Sequence, residues 1–182
     1  HTDDGSREHP VRAFYLDERD REGDYYAWQR SWLDGPLVDL GAGAGRDALH
    51  YGAAMDVTAV EPDPALVETM RERGVERAVH GDMFALPDTV SEGRFRSALA
   101  YGTQLCLAGS LDALTAFLDD LAAVTTPDAT AVVDAYDPTT PSARALDGVA
   151  GRPQAGPGAA PEWVACRGEG GDTPEVLLVF AG

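Results

Sequence analysis

Lysine is absent from this sequence. All 14 basic residues are arginine, and they face 31 aspartates and glutamates, which gives a formal net charge of −17 at pH 7. Nucleic-acid-binding surfaces carry a stripe of basic residues, and none is visible here, so we expect no nucleic-acid partner. A surface with this charge repels itself until salt screens it, so we also expect stability to depend on high salt.

Long apolar runs and cysteines are scarce as well. No stretch is long enough to cross a bilayer, and the polar, acidic start "HTDDGSREHP" is unlike a signal peptide, so we expect a cytoplasmic protein without membrane contact. Cys106 and Cys166 lie far apart without metal-ligand spacing. This favours two reduced thiols and no metal site, with a disulfide as the alternative. The salt-adapted composition resembles that of halophilic archaeal proteins.

Strand and helix patterns alternate along most of the chain. With 182 residues, 44% of them hydrophobic, the chain suits a single domain with a sizeable core. The alternation predicts an α/β fold: a doubly wound, mainly parallel sheet with flanking helices. Predicted strands are 36–40, 57–60, 77–80, 95–101 and 129–135, and predicted helices are 46–51, 64–73 and 111–124.

Three glycines follow the first predicted strand in "VDLGAGAGR", residues 38–46. Glycine destabilises regular structure, so its usual purpose is a tight turn or a close approach to the main chain. A strand, a glycine turn and a helix N-terminus form a general nucleotide site. The spacing G-x-G-x-G differs from the dinucleotide pattern G-x-G-x-x-G and lacks the G-K-[ST] ending of a phosphate loop.

This stretch resembles motif I, [DE]-x-G-x-G-x-G, of the class I S-adenosylmethionine-dependent methyltransferases. The resemblance implies a Rossmann-like fold with the cofactor S-adenosyl-L-methionine above the glycine turn, contacted by Asp39, Gly41, Ala42, Gly43 and Gly45. This cofactor carries a sulfonium and an ammonium but no phosphate. We therefore expect Asp39 to serve its positive end.

Two further stretches match later motifs of the same family. In "VTAVEPD", Glu61 ends the second strand and is expected to accept from the ribose hydroxyls, with Pro62 against the adenine. In "VHGDMFALP", the resemblance places Asp82 at the adenine amino group and Met83 beside it. The alternatives are a solvated strand end for Glu61 and a turn-capping role for Asp82. His80 is expected to be structural.

The ends of the fourth and fifth strands supply the candidates for catalysis. The family places the reaction centre after the fourth strand, here at Tyr101, Gly102, Thr103 and Gln104. Asp134, Tyr136 and Asp137 follow or end the fifth strand, and each is either a base or an ordinary loop residue. Our catalytic candidates are Tyr101, Gln104 and Asp137, and Tyr101 is also a candidate cofactor contact. No "NPPY" signature is present, which argues against methylation of DNA-base amino groups.

The two ends of the chain flank the predicted core, residues 35–140. Residues 1–34 predict an N-terminal lid of two helices interrupted near Gly23, in which Tyr15 and Tyr26 are expected to contact the cofactor or simply pack on the core. Arg46 is expected to pair with the cofactor carboxylate or with its own surroundings. Residues 141–182 predict a Gly/Pro-rich loop and a C-terminal antiparallel hairpin that covers the acceptor site. We expect the chain to be incomplete at both ends.

The resemblance implies a methyltransferase that acts on a small-molecule acceptor, with a general base that is optional. The alternatives are an NAD(P)-binding oxidoreductase domain and a non-catalytic module that binds S-adenosylmethionine. The sequence does not identify the acceptor or the oligomeric state.

Overall fold

The short apolar runs form one sheet. The computed structural model describes residues 12–16, 24–102, 104–136, 164–166 and 175–181. The strands are β1 (Leu37–Leu40), β2 (Val57–Glu61), β3 (Ala78–His80), β4 (Phe95–Ala100), β5 (Thr125–Tyr136), β6 (Val164–Cys166) and β7 (Glu175–Ala181). The first five are mutually parallel in the order β3-β2-β1-β4-β5. The predicted doubly wound parallel sheet is confirmed.

Helices flank this sheet. They are α1 (Asp24–Trp32), α2 (Arg46–Gly52), α3 (Pro64–Glu72), α4 (Leu86–Thr89) and α5 (Leu111–Val124), with short helical turns at Arg12–Leu16, Met83–Ala85 and Gln104–Ala108. Local sequence sets their starts: Asp63 accepts from the Ala65 N–H (2.8 Å), and Ser110 accepts from the Ala113 N–H (3.1 Å). No helix within the described ranges is long and apolar enough to span a membrane.

Two apolar layers hold the sheet between the helices. One layer joins α2 and α3 to the sheet through Tyr51, Val67 and Met70. The other joins α5 to the opposite face through Phe117 and Leu121. Because β1 and β2 are buried on both faces, their side chains form near-continuous apolar runs. The carboxyl ends of these strands therefore form a rigid edge on which the loops rest.

Strand bounds differ from prediction at a few positions. β3 begins at Ala78, one residue late, and β4 ends at Ala100, one residue early. β5 begins at Thr125 rather than 129, because Thr125 pairs with Phe95 before the register shifts to Ser97 opposite Thr130. Pro127 and Asp128 lie within this irregularity.

The chain ends are described only in part: residues 12–16 and α1 of the predicted lid, and β6 and β7 of the predicted hairpin. β7 pairs in parallel with β5 and antiparallel with β6, so both strands extend the sheet at its β5 edge. The predicted cover over the acceptor site stays a prediction. Pairing with β5 satisfies main-chain groups that would otherwise be an open sheet edge. α1 packs against the helical layer: its Gln29, 1% exposed, accepts from the Tyr51 hydroxyl over 2.6 Å. Residues 12–16 are joined to the glycine turn through hydrogen bonds from Arg73 to the carbonyls of Tyr15, Leu16 and Ala44.

Candidate functional site

The candidate site lies where β1 and β4 are neighbours. β1 pairs with both β2 and β4. The chain leaves β1 toward α2 on one face of the sheet and leaves β4 toward α5 on the opposite face. In parallel sheets such a switch in direction opens a crevice at the carboxyl ends of the two strands. The predicted motif after β1 and the predicted reaction centre after β4 therefore meet here.

The glycine loop, residues 41–45, has the conformation that its sequence predicts. Gly41, Gly43 and Gly45 have φ of 66°, 58° and 78°, a region that favours glycine. The N–H groups of Gly41 and Ala42 both donate to the carbonyl of Val60, over 2.9 and 3.1 Å. The end of β2 thus holds the loop in place.

Each glycine is required for a different reason. A Cβ at Gly41 would lie 2.7 Å from Cδ and Oε1 of Gln104, and one at Gly45 would lie 2.8 Å from side-chain atoms of Met70 and Val75. A Cβ at Gly43 would meet no atom of the described residues within 4 Å. Gly45 therefore allows α3 to approach, and Gly41 lies under a side chain from the reaction-centre segment. Of the three, Gly43 alone borders space that no described residue fills.

Glu61 lies beside that open position. The residue is 6% exposed, and its carboxylate accepts from the N–H of Gly43 (2.9 Å) and from the N–H of Asp63 (3.1 Å). These two bonds fix the carboxylate at the crevice, in contrast to a solvated strand end. A carboxylate offers about four acceptor positions, so capacity remains for further donors.

In the third motif, residues 79–87, Asp82 is exposed and Met83 is buried. Asp82 is exposed and caps the turn Met83–Ala85 by accepting from the Phe84 N–H over 2.9 Å, so the capping alternative is present in the fold. Met83 is 4% exposed and its side chain packs in the core, which leaves only its main chain for a ligand. Pro62 is exposed, and its carbonyl contacts Nε2 of His80 over 3.0 Å.

The reaction-centre candidates cluster at the ends of β4 and β5. Tyr101 is half-buried, and Gly102 donates its N–H to Oδ2 of Asp134 over 3.0 Å. Asp134 is 6% exposed and so fixes the turn that leads to Gln104. Thr103 and Asp137 lie outside the described residues, and Tyr136 is described only as a member of β5. Asp137 as a catalytic residue stays a prediction.

The remaining predicted contacts lie around the loop. Asp39 is 3% exposed in β1, opposite Ala59 and Leu99 of the adjacent strands. Arg46 is the half-buried first residue of α2. Tyr15 is 53% exposed, whereas Tyr26 lies in α1 with its side chain outside the described part.

Charge at this edge of the sheet is mostly negative. The carboxylates that lie there are Asp39, Glu61, Asp82 and Asp134. Such an edge favours a cationic ligand and disfavours a phosphate. The described residues contain no group of three or more side chains suited to hold a metal ion. A separate groove of about 560 Å³ lies between α2 and the start of β3, and no predicted site residue lines it.

One residue at the site carries no sequence signal that we recognised. Arg73, at the end of α3, donates to the carbonyls of Ala44, Tyr15 and Leu16. Its partners lie 29, 58 and 57 positions away in the chain. A contact between a side chain and distant main-chain carbonyls leaves no local pattern, so only the fold reveals it.

Solved structures share this fold. A methyltransferase from Bacteroides fragilis, described as S-adenosylmethionine-dependent and solved with S-adenosyl-L-homocysteine, is 25% identical, with a TM-score of 0.56 over 68% of this chain and 50% of its own. The CcbJ methyltransferase from Streptomyces caelestis is 17% identical, with a TM-score of 0.51 over 64% and 52%. This chain thus covers about half the length of each. No family model and no curated protein matches it. The described residues therefore have the fold of the S-adenosylmethionine-dependent methyltransferases.

Proposed function

We propose that this chain binds S-adenosylmethionine at the carboxyl edge of its sheet and transfers the methyl group to a small-molecule acceptor. The observation that carries the proposal is the pair formed by Gly43 and Glu61. An open stretch of main chain and a buried carboxylate lie one hydrogen bond apart, at 2.9 Å, in the crevice between β1 and β4.

The residues present fit this cofactor chemically. Open space at Gly43 leaves room for a ligand against the main chain, and the remaining acceptor capacity of Glu61 suits a ribose with two hydroxyls. The acidic edge, with Asp39 below the loop, suits a sulfonium and an ammonium. The structural likeness to a methyltransferase solved with S-adenosyl-L-homocysteine supports the same ligand.

The bound cofactor would supply a methyl group that its positive sulfur already activates. The chain then has to align the acceptor with the methyl group and to exclude water. Both effects lower the activation barrier for transfer. Gly102, fixed by Asp134, and Gln104, packed on Gly41, define the surface beside the loop where an acceptor would lie. Transfer to a neutral nucleophile leaves positive charge on the product, which the acidic edge stabilises.

A small acceptor fits the charge of the whole chain. A net charge of −17 repels the phosphates of nucleic acids, so a polynucleotide acceptor is disfavoured. The choice among small molecules depends on residues around Tyr101 and Gln104 and on segments outside the described ranges.

Calorimetry at high KCl tests the proposal. The full chain should bind S-adenosyl-L-homocysteine in preference to NADH. Glu61→Gln should weaken that binding at least about tenfold, because the neutral amide accepts less strongly from the ribose hydroxyls. Glu68→Gln, on the exposed face of α3, is the matched control and should bind as the wild type does. Preference for NADH would contradict the proposal in favour of an oxidoreductase domain.

Transfer itself needs a second assay. A labelled methyl group should pass from S-adenosylmethionine to a component of a small-molecule cell extract. Binding without transfer to any fraction would indicate a non-catalytic module instead.

A further inference from the structure

The end of α3 contacts the glycine loop at two adjacent residues. Met70 and Val75 pack where a Cβ at Gly45 would lie, 2.8 Å away. Arg73, between them in the chain, donates from Nη1 to the carbonyl of Ala44 over 2.5 Å. The close packing that Gly45 permits therefore brings the guanidinium within reach of the loop.

The same guanidinium also binds residues 12–16. Its Nη2 donates to the carbonyl of Leu16 over 2.6 Å, and Nη1 makes a longer contact of 3.4 Å with the carbonyl of Tyr15. We call this set of contacts the Arg73 bridge. It joins the N-terminal segment to the main chain between Gly43 and Gly45 through one side chain.

Arginine is the side chain suited to this task. A guanidinium presents five donors in a fixed plane, so it can serve carbonyls on two sides, whereas an ammonium is a compact charge on a flexible stem. The position of Arg73 is itself fixed, because its N–H donates to the carbonyl of Thr69 over 3.0 Å and Gly74 follows at φ +96°. The bridge thus starts from a rigid helix end.

We propose that Arg73 is a positioning residue of the cofactor site. It holds residues 12–16 beside the glycine loop and thereby couples retention of the cofactor to the placement of this segment, without contacting the cofactor itself. The proposal rests on the proposed function. Within the loop the bridge contacts Ala44, the residue next to Gly43. It therefore influences a ligand at Gly43 in two ways: it fixes the main chain of the loop, and it holds residues 12–16 in place.

Hydrogen exchange on the full chain, with S-adenosyl-L-homocysteine as the probe, tests this coupling. In the wild type, the amides of residues 12–16 should be protected, and the probe should increase their protection. Arg73→Ala should lose that protection and should bind the probe about tenfold more weakly, because residues 12–16 would then have to be ordered when the probe binds. Arg73→Lys should fall between the two, since one ammonium can serve part of the bridge.

Arg71→Ala is the matched control on the same helix. Arg71 pairs with Glu68 at 3.4 Å and donates to the carbonyl of Ala78, but it does not contact the loop. It should leave both the exchange at residues 12–16 and the affinity for the probe unchanged. Arg73→Lys retains the charge, so it keeps the test decisive if Arg73→Ala does not fold.

The outcomes separate this proposal from the proposed function. Full protection at residues 12–16 in Arg73→Ala would overturn the bridge. Loss of protection with unchanged affinity would overturn the coupling and leave a structural contact. If the wild type itself does not bind the probe, the proposed function and the coupling fail, while exchange in the ligand-free protein still decides whether Arg73 holds the segment.

Discussion

The main-chain N–H of Gly43 donates to Oε2 of Glu61 over 2.9 Å, which joins the open position of the glycine loop to the carboxylate that ends β2. The other oxygen of Glu61 accepts from the N–H of Asp63 at the start of α3. One buried carboxylate therefore holds together the ends of two consecutive βα units. Its loss should affect the fold as well as any ligand.

Glu61→Ala should destabilise the protein by about 2 kcal/mol, because two N–H groups lose their acceptor at a buried position. Glu61→Gln should cost about half as much, since its amide oxygen replaces one acceptor. Urea unfolding at high salt measures both values. Glu68→Ala, at an exposed side chain, should change stability by less than about 0.5 kcal/mol. Equal stability of Glu61→Ala and Glu68→Ala would contradict the role we assign to these bonds.

Gly43→Ala should mainly impair ligand binding, whereas Gly45→Ala should mainly destabilise the fold. Both positions have positive φ, which costs an alanine about 1–2 kcal/mol. At Gly45 the new Cβ also collides with Met70 and Val75, so we expect a total of about 3 kcal/mol or more. At Gly43 it enters open space and should instead abolish binding of S-adenosyl-L-homocysteine. Thermal melts and calorimetry on the two variants separate these effects, and a Gly43→Ala protein that binds normally would exclude a ligand at this position.

Gly41 and Gln104 should show energetic coupling. A Cβ at Gly41 would overlap the Gln104 side chain, with 2.7 Å to its Cδ, so that side chain must shift in Gly41→Ala. Truncation in Gln104→Ala removes the obstacle but not the backbone strain at φ +66°. In a double-mutant cycle, the pair should therefore cost at least about 1 kcal/mol less than the sum of the single variants. Strict additivity would mean that the Gln104 side chain does not lie over Gly41.

Salt should raise the melting temperature markedly between about 0.1 M and about 2 M KCl, because a Debye length of about 3 Å at 1 M screens the repulsion among 31 acidic residues. Salt also weakens the ion pairs Arg71–Glu68, Arg77–Asp56 and Arg96–Asp34, but their side chains are all at least 46% exposed and contribute little. Sorbitol at equal osmolality is the control. Equal melting temperatures at both salt concentrations would contradict this expectation.

Much of the fold could be predicted where the signal is local. Helix α5 matches prediction because Ser110 is a strong cap and the apolar spacing of residues 111–124 is helical. The tight turn expected at Gly41, Gly43 and Gly45 is present as positive φ at all three, a conformation that glycine adopts at little cost.

What lies against each glycine could not be predicted, because the neighbours come from distant parts of the chain. Gln104 is 63 positions from Gly41, and Met70 and Val75 follow a complete strand after Gly45. The interior position of Met83 is likewise set by packing with α5 and the turn of residues 83–85, which no motif encodes.

The Arg73 bridge binds the main-chain carbonyl oxygens of Tyr15 and Leu16. Every residue type presents the same main-chain carbonyl. Substitutions that keep the backbone geometry of this segment therefore leave the Arg73 bridge intact. The segment can therefore change its side chains while the docking of its main chain remains constant.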